Sequence, residues 1–281
     1  MKMSILSLHR RTKAVAVGRR LRQFFISCCL SYFLFSQVGL EASAQECHGN
    51  VNALGTARVL ALDPAVLPAV GTFQYPRTVP LRDHEVVLTF DDGPGRSSTD
   101  KVLDALAAQC VKANFFVVGA GARVAPDLVR REYSEGHTVG THSESHADLA
   151  KLPLNEAEQE IQAGIDAVGI ALGSRNAVAP FFRAPYLSTT PSIEDYLLKK
   201  GLMLWSIDVD PEDWRPLTPD EVVQRTMFQL EKKRSGIILM HDVQAHTAAA
   251  LPRLLNELKL QGYSVVHTVF GSPKEPTAHA R

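Results

Sequence analysis

With 281 residues, 45% of them apolar, and 30 basic against 30 acidic side chains, the chain has material for one substantial core and no excess charge. That composition excludes disordered and collagen-like classes. The even total hides an asymmetry: Lys2, Arg10, Arg11, Lys13, Arg19, Arg20 and Arg22 all fall within the first 23 residues, where no acid occurs.

This basic segment runs into an apolar stretch, 24–40, and then into Ala42-Ser43-Ala44, the pattern of an export signal with a small-x-small cleavage site. Residues 1–44 read as a signal peptide and the chain as exported, to the periplasm or the exterior. An uncleaved anchor is the competing reading, but the stretch falls short of the roughly 20 residues a bilayer core requires. Removing residues 1–44 leaves a net charge of −6, which speaks against a nucleic-acid partner, and leaves no stable membrane span. The oligomeric state stays open. Cys28 and Cys29 lie in the signal, so Cys47 and Cys110 are the pair left for an oxidising compartment; one disulfide is expected, two independent thiols being the alternative.

Residues 45–80 are rich in turn dipeptides such as Asp63-Pro64 and Tyr75-Pro76 and show no sustained period, so they read as an extension packing on the domain. From 81 to 270, short apolar runs alternate with segments of helical period, the pattern of βα units around a parallel sheet or barrel. Seven candidate strands result, at 85–90, 113–118, 137–140, 178–182, 202–207, 236–240 and 263–269. Helix starts are expected at Ser97 to Asp100, Pro126, Asn155 with Glu158, Thr190-Pro191, and Thr218-Pro219-Asp220-Glu221, the last a capping box. Gly136, Gly201 and Gly262 sit where helices should end. Residues 271–281 read as a disordered tail.

Chemistry-bearing residues follow the apolar runs: Asp91-Asp92, then His142, Arg183, Asp208 and Asp210, and His241-Asp242. In a parallel β/α arrangement these positions share one rim, the carboxyl ends of the strands. In extended chain, Asp91 and Asp92 would point to opposite sides, one toward a metal and the other toward a substrate water. His142 and His146 are four apart, one helical turn, so both can reach one cation; Glu144 would point elsewhere. One Asp with this pair makes an O,N,N set that suits zinc and leaves positions open for water and substrate. Arg183 can hold a carboxylate in place or form a surface salt bridge, the acidic window from Asp208 to Trp214 can be a turn with a buried aromatic or can orient a histidine, and His241 at a strand end is placed to act as a general acid. His48, His84, His137, His246, His267 and His279 read as structural or surface residues.

Five elements in this order, Thr89-Phe90-Asp91-Asp92-Gly93-Pro94, His142 with His146, Arg183-Ala184-Pro185-Tyr186, Asp213-Trp214 and Leu239-Met240-His241, resemble carbohydrate esterase family four. These are the polysaccharide deacetylases of chitin, chitooligosaccharides and peptidoglycan. The resemblance covers roughly residues 85–269. It implies a distorted (β/α) barrel of about seven strands and one divalent metal, Zn²⁺ with Co²⁺ or Ni²⁺ as alternatives, held by Asp92, His142 and His146. It further implies Asp91 as general base tuned by Arg183, His241 as general acid oriented by Asp213, and the Tyr186 N–H at the oxyanion. Trp214 and Leu239 would form walls of the acetyl pocket, and a glycan would be the partner. One departure is that Asp208 and Asp210 compete for the first acidic position of the Asp-Trp motif. A hydrolase of another acetyl ester or C–N bond would share these residues, whereas a non-catalytic glycan-binding module, the other alternative, would normally have lost a ligand or the base, and all are present here.

Overall fold

The computed structural model describes Cys47 and residues 50–271; the signal region, His48, His279 and the tail from 272 lie outside the described residues. The described strands are β1 (Thr56–Leu62), β2 (Ala69–Val70), β3 (Glu85–Asp91), β4 (Asn114–Val117), β5 (Thr138–Thr141), β6 (Phe181–Phe182), β7 (Met203–Trp205), β8 (Gly236–His241) and β9 (Ser264–Phe270). The helices are α1 (Thr99–Ala108), α2 (Gly119–Val124), α3 (Pro126–Ser134), α4 (Leu154–Leu172), α5 (Pro191–Lys199), α6 (Pro219–Lys233) and α7 (Ala245–Leu260). None of these helices is long and apolar enough to cross a membrane.

All ladders are parallel, in the order β1-β9-β3-β4-β5-β6-β7-β2, with β8 also on β3. A bridge from Val209 to Ile238 joins the chain leaving β7 to β8, which closes β3 through β8 into a ring. This is the distorted barrel expected. β9 departs from the ring, touching β3 only at Glu85 and Val86 and otherwise pairing with β1.

The period-2 alternation of the strands explains both faces. On β3, Val86, Leu88 and Phe90 pack outward against α1, α6 and α7, joined by Val102, Val222 and Leu251. Val87 points inward with Phe116, Phe181, Trp205, Ile237 and Val266, a cluster to which no helix contributes. Thr89 and Asp91 share the parity of Val87, so one strand face runs from apolar packing to hydroxyl to carboxylate as it nears the rim.

Two strands, β1 and β2, lie in the segment that carried no sequence period. Their order comes from partners far away in the chain: β1 pairs with β9 and β2 with β7. Leu62, Val70 and Val79 enter the inner cluster, so this segment fills part of the barrel interior. Cys47 and Cys110 are bonded, with 5.6 Å between their Cα atoms, and tie the start of the described segment to the end of α1.

Helix signals behaved locally, as caps should. Gly136, Gly201 and Gly262 all take positive φ at helix ends. At α4 the helix begins at Leu154 with Pro153 in the cap position and no side-chain cap bond, one residue before the expected Asn155. At α6 the capping box is complete: Thr218 Oγ1 accepts from Glu221 N–H, and the Glu221 carboxylate accepts from Thr218 N–H at 2.7 Å. Thr218→Ala is expected to lower stability by about 1 kcal/mol in urea unfolding, leaving turnover unchanged because the exposed cap bonds join Thr218 to Glu221 and neither lines the cavity at the rim.

Candidate active site

Asp91 and His241 end adjacent parallel strands and are register partners. His142 follows β5 and Arg183 follows β6 immediately. Three strand ends thus deliver Asp91, His142 and His241 to one mouth, with Arg183 buried behind it, and the cavity of about 430 Å³ is lined by these three together with Asp92, His146 and Tyr186 among others.

Asp92 is where the chain leaves the strand: its φ is 73°, in the left-handed region. The two carboxylates therefore do not point to opposite sides of an extended chain, as expected from parity. The backbone reversal brings both to the same imidazole, with His142 Nε2 at 3.4 Å from Asp92 Oδ1 and 3.8 Å from Asp91 Oδ2. Gly93 follows, and a Cβ there would sit 2.2 Å from the buried Asp242 carboxylate, so only glycine fits the turn.

The two histidines also differ from expectation, since no helix carries them. Positive φ at Ser143 (63°) and His146 (61°) folds the loop back so that the rings meet at 5.0 Å between centroids. Glu144 points away and pairs with Arg123 at 2.9 Å.

Asp92, His142 and His146 offer ligand atoms that all lie within 4.8 Å of one another. His146 Nε2 is 3.1 Å from Asp92 Oδ1, and that oxygen is buried and makes no hydrogen bond. His142 Nδ1 donates to the Arg183 carbonyl at 2.6 Å, which sets the tautomer and leaves Nε2 with a free lone pair aimed at the carboxylate. A carboxylate oxygen and two imidazole nitrogens converging on one point fit a divalent cation. Burial opposes charge on Asp92, but the two imidazoles hold its carboxyl below the usual carboxylate range.

Arg183 is fully buried, its guanidinium stacked on Phe116 at 4.3 Å. Burial lowers its pKa, and the Asp91 charge opposes that shift. It donates to Asp91 Oδ1 at 2.6 Å, to Thr89 Oγ1 at 2.9 Å and to the Ser206 carbonyl at 3.1 Å, so one Asp91 oxygen is pinned and the other faces the cavity side with His142.

Opposite stands His241. Its Nδ1 shares a 2.7 Å hydrogen bond with Asp213 Oδ1, while the His241 N–H donates to the second Asp213 oxygen at 2.9 Å. Burial alone would depress the imidazole pKa; the Asp213 hydrogen bond and charge, helped by Asp91 and Asp92, raise it to about 9.

Sequence reading missed several partners. Thr247 Oγ1 donates to Asp213 Oδ2 at 2.6 Å, and His246, read as structural or surface, bonds the Asp213 carbonyl. No spacing rule marks either residue. The competition between Asp208 and Asp210 is resolved by contacts: Asp208 accepts from Thr72 N–H, Thr72 Oγ1, Thr78 Oγ1 and Ile237 N–H, whereas Asp210 lines the cavity. Burial raises the Asp210 carboxyl above its ordinary range, opposed by the Glu212 N–H and reinforced by Asp213. Tyr186, Trp214 and Leu239 all line the cavity; Tyr186 stacks edge-on against His146. His137 and His267 stay away from it, pushed by burial to about 3 and about 4 and so uncharged.

Residues 78–205 match the family model described as polysaccharide deacetylase. The peptidoglycan-N-acetylglucosamine deacetylase PgdA of Listeria monocytogenes is 37% identical over 64% of this chain and 37% of its own length. The chitooligosaccharide deacetylase of Sinorhizobium fredii is 33% identical over 68% of this chain and 94% of its own length. Among solved structures, the Bdellovibrio bacteriovorus peptidoglycan deacetylase superposes with a TM-score of 0.68 at 32% identity, covering 76% of this chain and 59% of that one. The chain spans well under half the length of the first curated relatives it matches.

Proposed function

The chain belongs to the polysaccharide deacetylase family, and from that premise we propose that it hydrolyses N-acetyl groups of an N-acetylglucosamine-containing polymer or oligomer, releasing acetate. The observation that carries this reading is the pairing of two proton-handling groups on adjacent strands: Asp91 is locked by Arg183 and His241 by Asp213, and both flank the Asp92-His142-His146 cluster.

Amide hydrolysis needs an activated water, a home for the tetrahedral oxyanion and a proton for the amine. A divalent ion held by Asp92, His142 and His146, which we take to be Zn²⁺ with Co²⁺ or Ni²⁺ as substitutes, supplies Lewis acidity toward water and the amide carbonyl when bound. Asp91 accepts the water proton. Its pinned oxygen keeps the carboxylate oriented, leaving the second oxygen for that proton. The Tyr186 N–H is the proposed partner of the oxyanion, an interaction whose loss typically costs on the order of 3 kcal/mol. His241, held protonated by Asp213, donates to the departing amine, which is a poor leaving group until it gains that proton. Leu239 and Trp214 supply an apolar wall for the acetyl methyl. The 1–44 signal pattern supports action outside the cytoplasm, where such polymers occur.

Acetate release is to be measured from N-acetylglucosamine oligomers and peptidoglycan side by side. Release from at least one is expected; silence on both refutes the reading. Chelation is expected to abolish release, with Zn²⁺, Co²⁺ or Ni²⁺ restoring it. Undiminished turnover in chelator with no bound metal would remove the ion from the mechanism.

A further inference from the structure

The residues that carry the proposed chemistry are almost wholly buried, with Asp91 3%, His142 2% and His241 8% exposed. Three aromatic lining residues, Phe73, Tyr186 and Trp214, are far more open than these, and of the three only Phe73 has no part in the proposed chemistry. Phe73 lines the same cavity yet is 66% exposed, so it belongs to the outer mouth. It also lies before residue 78, outside the part of the chain that the family model matches.

Phe73 is exposed but held. Its N–H donates to the Ile207 carbonyl at 3.0 Å. Just before it, Thr72 is fastened through N–H and Oγ1 to Asp208 Oδ1 at 2.8 and 2.6 Å. Just after it, the Gln74 side chain donates to the Leu187 carbonyl at 2.6 Å, and Tyr75 OH bonds Glu194. Gly71 approaches β7 so closely that a Cβ there would lie 2.4 Å from Ile207 N, and its φ is 101°. A segment fixed at both sides of an exposed phenyl ring presents that ring in one place, without the ordering entropy a mobile loop would lose on binding.

Resting on the deacetylase reading, we propose that Phe73 is a specificity-determining residue that packs against a pyranose ring of the glycan next to the sugar undergoing deacetylation. In this reading the reacting sugar's acetyl group has its wall in Leu239 and Trp214, which leaves the Phe73 ring for the sugar beside it. A pyranose ring has an apolar face of axial C–H groups that suits the negative face of an aromatic ring. Burying the open two-thirds of a phenyl ring there gives a preference for longer oligomers on the order of tenfold.

The test is calorimetric binding of N-acetylglucosamine monomer and its tetramer to the metal-loaded chain, in the wild type, Phe73→Ala and Phe73→Tyr, alongside acetate release by the wild type. Expected is a roughly tenfold weaker tetramer Kd in Phe73→Ala, unchanged monomer binding, and recovery in Phe73→Tyr. Tetramer binding unaltered by Phe73→Ala, equal losses for monomer and tetramer, or no recovery in Phe73→Tyr each overturn the proposal. A wild type that releases acetate but binds tetramer no better than monomer overturns this inference and leaves the deacetylase reading standing. Absence of acetate with the tetramer preference intact and lost in Phe73→Ala does the reverse.

Discussion

Asp91→Asn is expected to lower kcat for acetate release by about 10²- to 10⁴-fold, the range typical of a lost general base. The substitution keeps an oxygen that can accept from Arg183 and removes the basic carboxylate, so geometry survives and proton abstraction does not. Metal content should stay near that of the wild type, because Asp92, His142 and His146 are untouched and Asp91 lies at 3.8 Å from the nearest imidazole nitrogen. Some stability should be lost as well. The Arg183–Asp91 pair is buried, and leaving such a cation without its counter-charge typically costs about 3–5 kcal/mol, softened here by the amide oxygen and by the bonds to Thr89 and Ser206. Steady-state acetate release, metal content and thermal unfolding on one preparation separate these effects. Full turnover would remove Asp91 as base, and loss of the metal would make it a ligand.

Asp213→Asn should have an effect of comparable size by the opposite route. His241 must be protonated to donate, and its pKa of about 9 depends on Asp213. Without that charge, only Asp91 and Asp92 are left to oppose burial, and the imidazole pKa falls. The alkaline limb of kcat/KM is therefore expected near or somewhat below pH 9 in the wild type, since a cation at Asp92 works against the imidazolium. In the variant it should move to lower pH, with a neutral-pH rate loss on the order of 10²- to 10⁴-fold. The same shift bears on stability. The folded pKa lies above the ordinary 6.5, so the stabilisation is fully present below about pH 6.5 and is lost as pH rises through about 9. Denaturant unfolding at pH 6 and pH 9.5 should show a steeper loss in the wild type than in Asp213→Asn. An unshifted limb would show that another group supplies the proton.

Much of the barrel was legible because strands buried on both faces write themselves as short continuous apolar runs. All seven runs contain a strand, from β3 through β9. Parallel connection then sends every carboxyl end to one rim, so the residues after the runs could be grouped before any contact was known. β1 and β2 escaped, since their partners lie about 200 and 135 residues away along the chain and a short window holds no trace of them.

Sequence alone picked out the residues proposed to carry the chemistry: the carboxylates, histidines and arginine at strand ends, whose donor types admit few other uses in that order. Tertiary structure decided how they meet. The left-handed backbone at Asp92, Ser143 and His146 replaced the parity and helical-turn geometry assumed for them. Asp208 became an anchor for the segment bearing Phe73, while Asp210 entered the cavity. The physical reason is range. Side-chain chemistry and strand burial are local and survive in sequence, whereas convergence depends on φ reversals and long-distance hydrogen bonds that are settled only when the barrel closes.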